Sequence, residues 1–150
     1  MVNIKQRPIS LTVQAGILKN YFPDSSVTTT PSSLTWKASL VPTSLSSAYE
    51  VKLVYKLGKN PDVFVTAPKL ALAEGKKHLP HVYSTKNQWL CLYYRKAREW
   101  QASMPIADTI VPWTSEWLFF YEIWQASGLW TGGGIEHGSQ SEQQKVKTGL

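Results

Sequence analysis

The chain has a single cysteine, Cys91, so no intramolecular disulfide can form and the fold must hold by packing. Such usage fits a reducing cytosol. Charge is also scarce: 17% of the residues are Asp, Glu, Lys or Arg against 43% hydrophobic, which excludes a disordered segment and a coiled coil. No apolar run approaches the roughly 20 residues that a membrane-spanning helix needs. The opening MVNIKQRPISLTVQAG lacks the continuous apolar stretch of a signal peptide. These absences predict a cytoplasmic protein with no membrane partner. Acidic side chains number 10 against 16 basic ones, a formal net charge of +6, but the bases are spread along the whole chain. Their densest groupings, Lys76-Lys77-His78 and Arg95-Lys96 with Arg98, read as solvated surface.

A compact fold of this length hides roughly 68–70% of the surface that the unfolded chain exposes, enough for a core without metal or cofactor. One domain over residues 1–137 is expected, with the polar GSQSEQQKVKTGL of 138–150 as a flexible tail. No internal repeat is present. Leu11, Ile17, Leu18 and Tyr21 recur at helical spacing between Ser10 and Tyr21, before Phe22-Pro23. Residues Asp24 to Ser33 are nearly all Ser, Thr and Pro and read as a loop. Beyond it, Leu34, Trp36, Ala38 and Leu40 alternate with polar neighbours, and Val51, Leu53, Tyr55 and Leu57 alternate with Lys52, Val54 and Lys56. Gly58 to Asp62 is a turn, Val63-Phe64-Val65 begins a further strand, Pro68 to Pro80 is irregular, and a strand is expected around Trp89 to Tyr93.

The last third is aromatic. Trp113 to Trp124 reads WTSEWLFFYEIW, with Pro112 at a plausible first helical position and Gly128 as a C-terminal cap. Apolar side chains surround this helix, which predicts burial, with Trp117, Phe120, Tyr121 and Trp124 on one face as core. The order of elements is α+β, and that alone names no activity.

The informative segment is local: His81 stands ten residues before Cys91, which lies between Leu90 and Leu92, with Trp100 further on. A thiolate is the nucleophile of transthiolation, and Cys91 is the one residue able to form a thioester. Arg95, Lys96 and Arg98 follow it and would favour the thiolate if they face it.

This pattern resembles the ubiquitin-conjugating enzyme family, carriers that accept an acyl group from an activating enzyme. The family's His-Pro-Asn motif begins ten residues before its acceptor cysteine, which is followed by Leu and, about eight residues later, by Trp. His81, Cys91 and Leu92 match, Trp100 comes one residue late, and Val82 and Tyr83 stand in place of Pro and Asn. The resemblance covers about Ser10 to Trp130. It implies an α+β ubiquitin-conjugating-enzyme-like fold with an N-terminal helix, a four-stranded antiparallel meander and C-terminal helices. Cys91 is then the acyl acceptor, His81 mainly structural, and Tyr83 a candidate donor to the developing oxyanion, since its hydroxyl can give one hydrogen bond. No aspartate matches the one that would steer an incoming lysine.

The aromatic helix and the ending from Gly128 to His137 resemble more narrowly the bacterial branch of anti-phage cyclic-oligonucleotide signalling (CBASS) operons. That likeness implies a partner C-terminus, from a cGAS-like nucleotidyltransferase or a ubiquitin-like protein, and leaves open whether a separate activating enzyme loads Cys91.

Other readings stand beside it. Cys91 is a small buried hydrophobe in a noncatalytic binding module, a reading that the replacement of Asn favours. His78, His81, Cys91 and His137 do not follow a zinc-ligand pattern. Gly132-Gly133-Gly134 lacks the Lys-Ser/Thr of a phosphate loop and reads as a turn. Nucleic acid is disfavoured as a partner because most of the seven Trp sit in patterns that demand burial.

Overall fold

The structure, a computed structural model, describes residues 6–133. The proposed tail at 138–150, His137 and Gly134 therefore lie outside the described residues. Helix α1 (Leu11–Tyr21) starts where the Ser10 hydroxyl accepts the Val13 N–H at 3.2 Å, satisfying one of the donors that a helix start leaves free. It buries Leu11, Gln14 and Leu18. Tyr21 is half exposed, and Phe22 takes the inward place instead, edge-on to Trp36 at 5.5 Å. Gln14 is fully buried because its amide is used twice: it donates to the Met104 carbonyl at 3.0 Å and accepts from the Ile106 N–H at 2.9 Å.

The described strands form one antiparallel sheet in the order β1-β2-β3-β4-β6-β5. They are β1 (Ser26–Thr29), β2 (Ser33–Leu40), β3 (Tyr49–Lys56), β4 (Asp62–Ala67), β5 (Val82–Ser84) and β6 (Trp89–Leu90). The alternation holds on the inner face, where Leu34, Trp36, Val51, Leu53, Tyr55, Val63 and Val65 are all buried.

Two strands exceed the four-stranded expectation. The segment 24–33, expected to be a loop, contains β1, which pairs with β2 from Ser26↔Lys37 to Thr29↔Leu34. Its Val and Thr are β-branched, and backbone pairing supplies what an exposed Ser/Thr side-chain pattern cannot signal. Strand β5 forms from residues 82–84 just before the Cys91 segment.

The strand expected around Trp89 to Tyr93 is confined to Trp89–Leu90. Gln88 (φ 50°) turns the chain into it, and Cys91 leaves it by donating its N–H to the His81 carbonyl at 3.0 Å. Pro68 to Pro80 is irregular, as expected.

Among the described residues one long helix, α2 (Ile110–Ser127), stands where several C-terminal helices were expected, preceded by single 3-10 turns at Arg95–Ala97 and Ile106–Asp108. It begins three residues before Trp113, with the Trp113 N–H bonded to the Thr109 carbonyl. Pro112 is then the third helical residue, still within the turn whose N–H groups have no helical partner. Gly128 caps the end at φ 78°, a left-handed conformation that costs glycine little. Burial is one-sided rather than all round: Trp117, Leu118, Tyr121 and Trp124 are buried, Phe120 is partly covered, and Phe119 is 40% exposed. Glu122 explains part of this, since its carboxylate accepts from Tyr49 at 2.8 Å and Ser46 at 2.7 Å and so ties α2 to the β2–β3 connection.

Candidate active site around Cys91

The turn between β5 and β6 folds His81, Tyr83 and Cys91 together. His81 sits at φ 44°, an unusual conformation for a residue with a side chain, and this aims its carbonyl at two donors. One is the Cys91 N–H at 3.0 Å; the other is the Trp117 indole at 2.9 Å. The imidazole is buried and stacks on Trp130 at 4.8 Å. His81 thus connects the Cys91 backbone to α2.

The Cys91 thiol is 8% exposed and donates weakly to the Tyr93 carbonyl at 3.7 Å. The Tyr83 hydroxyl lies close enough to the Cys91 sulfur to influence its ionisation. Burial pushes the Cys91 thiol pKa up, while the Tyr83 hydrogen bond and the Arg95 charge pull it down without reversing the shift. Cys91 therefore rests as a thiol. Burial likewise raises the Tyr83 pKa beyond the ordinary phenol range, with the Cys91 charge adding to it and Arg95 opposing. Tyr83 is an O–H donor, not a base.

Arg95 forms the other side of the site. Its guanidinium lies 4.7 Å over the Tyr83 ring, 5.8 Å from Tyr93 and 5.9 Å from Trp89, and is held by Asp62 at 2.8 Å and the Pro61 carbonyl at 3.0 Å. Tyr93 donates to Asn60 at 2.8 Å, and burial pushes its own pKa up to about 12. Of the three basic residues after Cys91, Arg95 is the one turned toward the site; Lys96 and Arg98 are exposed.

Cys91 opens onto a cleft of about 500 Å³ walled by Trp113, Trp117, Phe120 and Trp130 and carrying Glu99 and Glu116. The Glu99 carboxylate accepts the Tyr94 N–H at 3.1 Å, and its charge acts against the thiolate. Sequence reasoning found Cys91, His81, Tyr83, Arg95 and the aromatic helix. It missed Glu99 and Asn60 on loops, Glu116 on α2 and Asp62 at the start of β4, because no spacing in the sequence connects them to Cys91. Trp100, by contrast, is core: its ring meets Tyr55 at 5.4 Å and its indole donates to Thr109. Among the described residues no three His, Cys, Asp or Glu converge as metal ligands.

The sequence profile of the family described as type II CBASS E2 protein matches residues 14–138. The chain belongs to that family. No curated protein sequence matches it. As a type II CBASS E2 protein it has an E2-like role in CBASS, and the whole β5–β6 turn, Cys91 and α2 fall within the matched span. No helix among the described residues is long and apolar enough to cross a membrane.

Proposed function

We propose that this CBASS E2 protein is an acyl carrier in which Cys91 forms a thioester with the C-terminus of a partner protein and holds or transfers it. The observation that carries this reading is that the one cysteine lines a cleft and is held there by the bond from its N–H to the His81 carbonyl. In the step, Cys91 loses its proton to solvent and its sulfur attacks the carbonyl carbon of the partner's activated C-terminus. The new C–S bond forms as the bond to the previous sulfur carrier breaks, and that sulfur departs as a thiolate. Tyr83 donates first to the Cys91 sulfur and then to the oxyanion that develops beside it, the role that Asn has in the resembled family. His81 is a positioning residue, holding Cys91 through its carbonyl. The carboxylates of Glu99 and Glu116 favour a cationic acceptor such as a lysine side chain at the cleft. The partner in this reading is the cGAS-like nucleotidyltransferase of the same operon, loaded in the cytoplasm.

Intact mass after co-expression with the operon partners, with and without thiol reductant, tests it. A protein-sized adduct that reductant releases and that Cys91→Ala removes is the expected result. A second reading, a noncatalytic binding module, is favoured by the burial of the thiol and its raised pKa. It predicts no adduct and unchanged co-purification of partners with Cys91→Ala.

A further inference from the structure

A second concavity lies on the other side of the β5–β6 turn and shares no residue with the Cys91 cleft. It occupies about 1050 Å³ where the sheet parts: β4 runs for six residues but is in register with β6 only at Phe64↔Trp89. The gap is sealed beneath by buried Gln88, whose amide donates to the Val65 and Pro68 carbonyls and accepts the Leu70 N–H. The floor is apolar, with Phe64, Leu70, Leu72 and Leu79, and the rim carries Lys52, Lys69 and Lys86.

We propose that this groove docks an extended acidic peptide segment of a partner protein, with aliphatic side chains on the floor and carboxylates on the three lysines. Charge is the first argument. Among the described residues no carboxylate lines the groove, and Lys52 stands directly opposite Lys37 across β2 and β3, an arrangement of like charges that is unfavourable until an anion joins it. Size is the second, since about 1050 Å³ lies at the upper end of the range of about 300–1,000 Å³ usual for small-molecule pockets and has room for several side chains. The rings nearby argue for peptide over nucleic acid. Phe64 is stacked against Trp89 at 5.9 Å and Tyr83 is covered by Arg95, so the aromatic faces that would stack bases are engaged. The chain's own residues 134–150 are a poor occupant, because they carry Glu136 and Glu142 against Lys145 and Lys147.

The test uses the full chain, isotopically labelled for NMR, and three probes: a blocked peptide alternating Glu and Leu, its Lys and Leu counterpart, and oligothymidine of matched charge. The Glu/Leu peptide is expected to shift the amides of Phe64, Thr66 and Thr85 to Asn87 saturably. Lys52→Glu with Lys69→Glu and Lys86→Glu, at rim positions outside the core, should weaken it by about tenfold or more and improve the Lys/Leu peptide. The same triple variant should still form the Cys91 adduct, so failure here is separable from failure of the carrier reading. No saturable shift at about 1 mM peptide, equal affinity in the triple variant, or tighter oligothymidine binding at the same amides would overturn the proposal.

Discussion

The cleft at Cys91 is walled by the indoles of α2 and carries Glu99 and Glu116, whereas the groove beside β4 has an aliphatic floor and a rim of lysines. Both border the short segment that contains β5 and β6, the first through His81 and Cys91 and the second through Thr85 to Gln88. Toward α2 the turn is fastened by the His81 carbonyl, which serves Cys91 and Trp117. Toward β4 it is fastened by the Gln88 amide, which serves Val65, Pro68 and Leu70. His81 and Gln88 both adopt positive φ, at 44° and 50°, which turns the chain sharply enough to present both faces within a few residues. A net charge of +6 therefore says little about the Cys91 cleft, which carries Glu99 and Glu116.

Breaking one fastening at a time separates the two sites. Trp117→Ala removes a buried indole and its bond to His81, an expected loss of about 3–5 kcal/mol in urea unfolding. It should also make Cys91 more accessible to alkylating reagents. Gln88→Ala leaves the buried Leu70 N–H without a partner, an expected loss of about 1–3 kcal/mol, with the Cys91 alkylation rate close to that of the natural protein. If Gln88→Ala changed Cys91 reactivity as much as Trp117→Ala, the two faces would be one cooperative unit.

Tyr83→Phe sharpens the comparison at Cys91. It deletes the donor that favours the Cys91 thiolate, so alkylation at fixed pH should slow by about 3–10-fold. Triple charge reversal in the lysine groove should leave that rate nearly unchanged.

The smallest effect concerns pH. The pKa of the folded Cys91 lies above its ordinary value of 9.0, chiefly from burial, so the folded state prefers the thiol. That contribution is fully present below the ordinary value and is lost as pH rises through the folded one. Thermal melting should therefore fall somewhat more steeply above pH 9.0 in the natural protein than in Cys91→Ala. Equal alkaline slopes would show that burial does not hold the thiol protonated.

The sequence by itself determined that Cys91 is the one thiol in the chain that the proposed thioester can use, and it determined β2, β3 and the left-handed cap at Gly128, because period-two alternation and glycine after an apolar helix are local signals. The His81-to-Cys91 spacing with Leu92, the order of elements and the aromatic C-terminal third together were enough to reach the family. Only the tertiary structure decided that Ser26–Thr29 pairs as a strand, that Gln14 and Gln88 are buried connectors, and that Tyr83 and Arg95 act on the thiol while Asp62 holds Arg95. Those facts depend on which backbone groups find partners and on how loops return. Arg95 meets an aspartate 33 residues upstream, and Gln88 reaches a carbonyl 23 residues away. A periodic pattern reports which face of an element is apolar. It carries no information about which distant polar group that face will meet, and at Cys91 and in the lysine groove those meetings set the chemistry.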